Sequence, residues 1–156
     1  MPWFNSVDVH FYNCKIVDYE KILNIKKYNL INCTVIKPLP LVCPESGDFI
    51  GYKQCRNLDN LGNLGNYCVA KLLIPADAKR SSAFTNKCRC SKAKVLGIFE
   101  IYGNESKDAV AYSSYNANFT YKVGEWVYPD SFDEDRYHEC SHGIHFFMTF
   151  EEAACY

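Results

Sequence analysis

The sequence predicts an α+β protein, rich in β-structure, with a twisted, mainly antiparallel sheet and a short C-terminal helix. Twelve Tyr and ten Phe among 156 residues favour strands, because flat rings pack well on a pleated, half-buried surface. Apolar runs follow one another with turns and no helical pattern between them, which argues against a doubly wound sheet. With 48% hydrophobic residues, the chain can form one packed core.

Apolar and β-branched segments predict the strands of this sheet. Pro75 ends one segment and Gly103 another, because proline lacks an amide donor and glycine favours turns. Residues 57–66, rich in Asn and Gly, predict a turn-rich loop. The predicted strands cover residues 48–55, 67–74, 94–102, 109–114, 119–128 and 144–147.

The end of the chain predicts the helix. Thr149 is a favourable N-cap residue, and Glu152 follows three positions later. This spacing is a capping box, in which the two side chains satisfy exposed backbone amides of the first helical turn. We therefore expect a short helix to begin directly after Thr149.

Two similar segments stand near the start of the chain. Residues 12–17 and 31–36 each place an Asn-Cys pair before a β-branched run, and they are offset by nineteen residues. One interpretation is a pair of strands that flank a helix over 18–27, with Asp18 as its N-cap. The other is a remnant of a β-solenoid, a fold that needs about three coils to bury its faces.

Pro38 and Pro40 predict a linker over residues 37–47, because they fix the backbone and remove amide donors. The predicted organisation is therefore an N-terminal strand-helix-strand appendage over 1–47, with a degenerate repeat remnant as its alternative interpretation, and a main α+β domain over 48–156.

The sequence shows no signal peptide and no apolar run of the roughly 20 residues that span a bilayer. We expect a protein without membrane contact, located in the cytoplasm. The nine cysteines are odd in number and lack the paired spacing of a secreted disulfide scaffold. Most of them are expected to be reduced and buried.

Residues 138–142, His-Glu-Cys-Ser-His, match the His-Glu-x-x-His pattern of zinc peptidases. We reject that interpretation, because both histidines must lie on one helix, whereas Gly143 and a predicted strand follow here. A zinc site formed by Cys88, Cys90 and Cys140 with a nearby histidine stays open, although Cys-x-Cys spacing on a strand also arises from ordinary packing. Cys140 as a thiol nucleophile is less favoured than its structural burial. Neither a metal nor a cofactor is predicted.

Charge is distributed unevenly along the chain. Residues 71–94 contain seven basic side chains and one acidic one, whereas residues 125–152 contain eight acidic side chains and Arg136. Either the two segments lie side by side and neutralise each other, or the basic segment forms a phosphate pocket. Because the sequence pI is near 6.4, broad nonspecific nucleic-acid binding is not expected.

Ordered motifs then point to a family. They include Gly51-Tyr52-Lys53, residues 74–81 and 87–96, Phe119 to Glu125, Glu139-Cys140 and residues 143–147. Over residues 48–156 the chain resembles an uncharacterised domain of bacterial, phage and large DNA virus proteins, which often follows pentapeptide-repeat segments. The resemblance implies that the Asn-Cys duplication is a trace of such repeats. It places Lys79, Arg80, Arg89, Glu139 and His145 in shared motifs, with His138 and His142 outside them.

We therefore expect a non-catalytic binding module of viral or phage type, in the host cytoplasm if viral, which contacts a phosphate-bearing small molecule or a protein partner. The alternative is an enzyme that acts on a nucleotide or an ADP-ribose-like ligand, with Glu139 and His145 as an acid/base pair. A homo-oligomer is possible. The predicted ligand-binding residues are Lys53, Lys79, Arg80, Lys87, Arg89 and His145.

Overall fold

The computed structural model describes residues 9–16, 28–35, 41–83 and 85–156. Contacts divide the chain into two units, Met1–Pro40 and Leu41–Tyr156. The boundary between them falls inside the predicted linker. The helix expected over residues 18–27 lies outside the described residues.

In the N-terminal unit, the two Asn-Cys segments stack on each other. The strands are β1 (Val9–Tyr12), β2 (Lys15–Ile16), β3 (Tyr28–Ile31) and β4 (Thr34–Val35). β1 pairs with β3 and β2 with β4, both in parallel and both between residues nineteen positions apart. Asn13 and Asn32 adopt left-handed backbone conformations with φ of 50° and 52°. The backbone amide of Cys14 donates to Sγ of Cys33 over 3.4 Å. Equivalent residues therefore repeat the same turn one above the other, as in two stacked solenoid coils.

The larger unit contains nine strands and one helix among its described residues. They are β5 (Phe49–Leu58), β6 (Leu64–Ile74), β7 (Arg80–Ser82), β8 (Cys88–Cys90), β9 (Ala93–Glu100), β10 (Val110–Tyr112), β11 (Thr120–Lys122), β12 (Trp126–Val127), β13 (Ile144–Phe146) and α1 (Phe150–Ala154). Six strands form a sheet in the order β11-β10-β5-β6-β9-β12, and three form a second sheet in the order β13-β8-β7. Every pairing in both sheets is antiparallel. The predicted fold class is confirmed.

The strand predicted over 119–128 is wrong as a single element. It is two strands, β11 and β12, which lie at opposite edges of the six-stranded sheet. Gly124, with φ of 87°, stands between them in a backbone conformation that glycine adopts without steric cost. Strand β7 was not predicted, because its Arg-Ser-Ser sequence carries no apolar alternation.

The short C-terminal helix is confirmed, together with its capping box. Oγ1 of Thr149 accepts a hydrogen bond from the Glu152 amide over 3.3 Å, and the Glu152 carboxylate accepts one from the Thr149 amide over 3.2 Å. Phe150 then meets the rings of Tyr52 and Phe99 edge-on. These contacts hold the helix against β5 and β9. None of the helices among the described residues is long and apolar enough to cross a bilayer.

The two sheets meet where β5 passes the end of β13. Tyr52 and Phe147 exchange two backbone hydrogen bonds, of 2.8 and 2.7 Å. Gly51 is essential to this approach, because a Cβ at this position would lie 2.6 Å from the Phe146 ring. Phe146 is fully buried in the main core. All nine cysteines carry free thiols, and five are buried: Cys43, Cys55, Cys68, Cys88 and Cys90.

Candidate functional site

A cavity of about 760 Å³ lies beside the junction of the two sheets. Its floor comes from β5 and β13, and its walls come from the loop between β10 and β11 and from residues 129–131 and 140–143. A volume of several hundred cubic ångströms suits a small molecule. The side chains that matter for the chemistry are Lys53, Lys87, Ser114, Tyr115, Tyr121, Cys140, His145 and Tyr156.

Lys53 reaches this cavity from the core-facing side of β5. Side chains two positions apart on a strand share a face, and its neighbours on that face, Gly51 and Cys55, are buried. The Lys53 ammonium donates to the backbone oxygen of His145 over 3.1 Å and lies 5.8 Å from the centre of the Tyr121 ring. Burial lowers the pKa of the Lys53 ammonium, and the nearby charge of Lys87 lowers it further.

Lys87 supplies the second positive charge of the cavity. Its Nζ donates to the Tyr156 hydroxyl over 2.8 Å and lies 3.5 Å from Sγ of Cys140. Through this hydrogen bond the ammonium holds the pKa of Tyr156 below its ordinary value. Interaction with Tyr156 raises the pKa of Tyr115, so the two exposed rings and Lys87 lie together at the rim.

His145 is an uncharged imidazole at neutral pH. Burial lowers its pKa to about 4, with further lowering by the positive charges of Lys53 and Lys87. Nε2 lies 3.2 Å from the backbone oxygen of Glu139. Because a carbonyl only accepts hydrogen bonds, we assign the proton to Nε2, which leaves Nδ1 as the basic nitrogen.

The remaining wall is largely aromatic, with one buried hydroxyl that has no partner. Phe119, Tyr121 and Phe147 supply flat apolar surface. Oγ of Ser114 is buried and makes no hydrogen bond to any described residue. Such a group costs free energy unless a ligand or water satisfies it. Among the residues that line the cavity, Asp130 is the one carboxylate, and it is exposed.

Lys53, Lys87 and His145 are three of the six predicted ligand-binding residues, and the structure brings them together. Arg80 lies elsewhere, and its guanidinium donates to the backbone oxygens of Pro44, Gly47, Pro75 and Ala78 over 2.7 to 3.2 Å. It also lies over the Phe49 ring, 4.9 Å from its centre. These contacts fasten the segment before β5, so Arg80 acts as a structural residue.

Arg89 and Lys79 are also engaged away from the cavity. Arg89 is 1% exposed, and its guanidinium donates to the backbone oxygens of Asp133, Asp135 and His142 over 2.6 to 3.0 Å. Lys79 forms an exposed ion pair with Glu134. The basic segment therefore contacts the acidic segment. The side chains of Lys79, Arg80, Lys87 and Arg89 do not form one phosphate-binding patch.

In the predicted acid/base pair, the Glu139 carboxylate is engaged by Thr85. One carboxylate oxygen of Glu139 accepts hydrogen bonds from the amide and the hydroxyl of Thr85, over 2.8 and 2.6 Å. Glu139 contacts the imidazole of His145 through its backbone oxygen. Its carboxylate orders the turn before β8 and does not line the cavity.

The cysteines considered for zinc do not converge. Cys88 is fully buried in the core, where its thiol donates to the backbone oxygen of Asn86, and burial raises the pKa of Cys90 to about 12. Cys140 is exposed at the cavity, so the expectation that it is buried is wrong. The described residues contain no group of three or more His, Cys, Asp or Glu side chains that could hold a metal ion.

Several cavity residues were not identified from the sequence. Ser114, Tyr115 and Tyr156 lie in a loop and at the end of the chain, where they belong to no local pattern. They are brought together only by the pairing of β10 with β5 and by the position of α1. Only information on which distant segments contact each other could have identified these three residues.

A second cavity, of about 800 Å³, lies between the β5–β6 turn and the segment after β9. Its charges are mixed, with Arg56 and Lys107 beside Glu100, Glu105 and Asp108. Nε of Arg56 donates to the backbone oxygen of Gly65, and its guanidinium lies 4.7 Å from the centre of the Tyr67 ring. The excess of positive charge is therefore specific to the first cavity.

The chain was compared with known proteins. The model of a family described as a family of unknown function, DUF5758, matches residues 39–153. No curated protein and no solved structure matches the chain. The match covers all strands from β5 onward and nearly all of α1.

Proposed function

Since the chain belongs to the DUF5758 family, whose function is unknown, we propose from the cavity itself that this domain binds a small phosphate-bearing molecule with a flat apolar part. The observation that carries the proposal is the pairing of two lysines, Lys53 and Lys87, in a concave site whose lining holds one exposed carboxylate. An anionic ligand would supply the missing negative charge.

The wall chemistry narrows the ligand further. Aromatic rings of Phe119 and Tyr115 offer surfaces on which a planar group stacks. The unpartnered hydroxyl of Ser114 offers a hydrogen bond to a polar edge. A nucleotide or another phosphorylated aromatic compound combines both features. A flat protein surface would not fill this concave site, so we favour a small molecule over a protein partner.

Binding without catalysis is the function that we favour. The alternative enzyme would use Glu139 and His145 together, yet the Glu139 carboxylate is engaged by Thr85 outside the cavity. The viral or phage setting and the pentapeptide-repeat context remain predictions from the resemblance.

The proposal is tested by thermal-shift and calorimetric titration with adenosine 5′-monophosphate, inorganic phosphate and adenosine. We expect the nucleotide to raise the melting temperature and adenosine to have little effect, because the phosphate contributes through the lysines. Replacement Lys87→Met is expected to weaken nucleotide binding at least about tenfold, the loss of one charged hydrogen bond.

Lys122→Met is the matched control, because Lys122 is exposed on β11 and does not line the cavity. It should bind as the parent does. Added salt should weaken parent binding, since the attraction is electrostatic. Equal affinities for adenosine and its monophosphate, or equal binding by the parent and Lys87→Met, would overturn the proposal.

A further inference from the structure

The position of the Lys53 side chain in the fold is unusual for a lysine. It occupies the core-facing side of a strand, between buried positions, where an apolar residue is the ordinary choice. Its Nζ has one hydrogen-bond acceptor, the backbone oxygen of His145. No carboxylate of the described residues lies within ion-pair distance of it. A buried cation without a counter-charge is costly, and a lysine relieves that cost by losing its proton.

The groups around the Lys53 amine either favour its neutral form or do not oppose that form. Burial is the main cause that lowers the Lys53 pKa, and Lys87 acts in the same direction. Cys55, Cys90 and Tyr156 act in the opposite direction only when they are ionised. Burial raises the pKa of both Cys55 and Cys90 to about 12, so at neutral pH these thiols carry no charge. The cavity thus contains an amine with an increased neutral fraction.

We propose that Lys53 captures a carbonyl compound, so that the cavity takes a phosphate-bearing aldehyde or ketone and holds it as an imine on Nζ. This rests on the proposed function for one part, the binding of the phosphate by Lys87. It goes beyond that function in assigning a covalent step and a reactive group to the ligand.

The step balances without any oxidant or reductant. The nitrogen lone pair of the neutral amine adds to the carbonyl carbon, a C–N bond forms, and one proton passes from the nitrogen to the carbonyl oxygen to give a carbinolamine. The hydroxyl then takes up a second proton, the C–O bond breaks and water leaves as the C=N bond forms, and the nitrogen gives up its second proton. The sum is amine plus carbonyl to imine plus water, and it is reversible.

His145 is positioned to move protons in this step. It is uncharged at neutral pH, because its pKa is about 4. Its backbone oxygen is the acceptor of the Lys53 hydrogen bond, and its ring lines the same cavity. Desolvated lysines beside a second cation are an established route to imine-forming amines in proteins. Lys87 provides that second cation here.

The test uses pyridoxal 5′-phosphate as a probe, because it joins an aldehyde, a phosphate and a flat ring. The protein is incubated with a slight excess of probe, reduced with borohydride and digested, and the modified lysine is identified by mass spectrometry. We expect one reduced adduct per chain, on Lys53, and at least a tenfold lower yield in Lys53→Met and in Lys53→Arg. Lys122→Met should be labelled on Lys53 as the parent is.

Two further measurements separate this proposal from the proposed function. Pyridoxine 5′-phosphate, the alcohol, cannot form an imine and reports phosphate binding alone by calorimetry. If the alcohol binds and Lys53 is not labelled, the imine is refuted and the proposed function stands. If neither probe binds, both fail. Labelling spread over exposed lysines and unchanged in Lys53→Met also refutes the imine, and urea unfolding of each variant shows that it is folded.

Discussion

The arginines and the lysines of this domain use positive charge in opposite ways. Arg80 and Arg89 spread their guanidinium donors over seven backbone oxygens in total, four and three, and so fasten loops to the sheets. Lys53 and Lys87 instead face a cavity where they meet one backbone oxygen, a hydroxyl and a thiol. The fork of a guanidinium suits several fixed acceptors, whereas a lysine amine is a point charge that a ligand or a proton can neutralise.

The difference shows that a cationic side chain is available to bind a ligand only where backbone oxygens do not already accept its hydrogen bonds. Arg89 is the more buried cation, yet its donors are engaged by carbonyls of Asp133, Asp135 and His142. Lys53 donates fewer hydrogen bonds than Arg89 does, although it stands on a core-facing position. Substitutions should therefore affect folding on one side of the comparison and binding on the other.

The largest effect is expected for Arg89→Met. Removal of the buried guanidinium leaves three part-buried carbonyls without their donor, and each acceptor left unsatisfied is costly. We expect the free energy of unfolding in urea to fall by about 3 kcal/mol or more. Arg89→Lys keeps the charge but cannot span three acceptors, so it should lose nearly as much. A loss below about 1 kcal/mol would show that these bonds do not hold the acidic segment.

The second-largest effect is a pH dependence of the free energy of unfolding, and it arises from His145. Its pKa in the folded protein, about 4, lies below the ordinary value of 6.5. Between these values the unfolded chain binds a proton that the folded chain excludes, so stability is fully present above pH 6.5 and is lost as pH falls toward 4. The slope from this group is at most about 1.4 kcal/mol per pH unit.

Urea unfolding across pH 4 to 7 measures this slope. His145→Gln should flatten the curve in this window. The lowered pKa of Asp133 acts below its ordinary value of 3.8, outside the window. A slope that persists in His145→Gln would place the titrating group elsewhere.

The smallest effect on stability is expected for Lys53→Met. Methionine keeps the length and the apolar stem and removes a half-buried cation that has no carboxylate partner among the described residues. We expect the free energy of unfolding to change by less than about 1 kcal/mol, in the stabilising direction, while nucleotide binding is lost. The same denaturation series tests this, and a loss of 2 kcal/mol or more would assign Lys53 to the structural group with Arg89.

Much of the fold follows from local sequence. Thr149 and Glu152 predicted the capped helix because a capping box is a contact between near neighbours. The long strands β5, β6 and β9 were predicted from their apolar, β-branched runs. The separation of β11 from β12 was missed, because sequence does not show that Gly124 sends the chain to the far edge of the sheet.

The candidate site was only half predictable. Lys53, Lys87 and His145 were named from charge and motif. Arg80 and Arg89 carry the same signal, but their acceptors are carbonyls 2 to 53 residues away, positions that only the folded backbone reveals. The tyrosines at the rim were missed for the same reason.

The backbone bridge between Tyr52 and Phe147 has a consequence for how such a domain can diversify. Lys53 follows Tyr52 directly, and His145 lies two residues before Phe147, so two peptide hydrogen bonds hold the amine and the imidazole in register. The surrounding walls come mainly from connecting loops, which tolerate sequence change far better than paired strands do. Relatives could thus differ in the ligand that they bind through changes in those loops, while the arrangement of Lys53 and His145 stays the same.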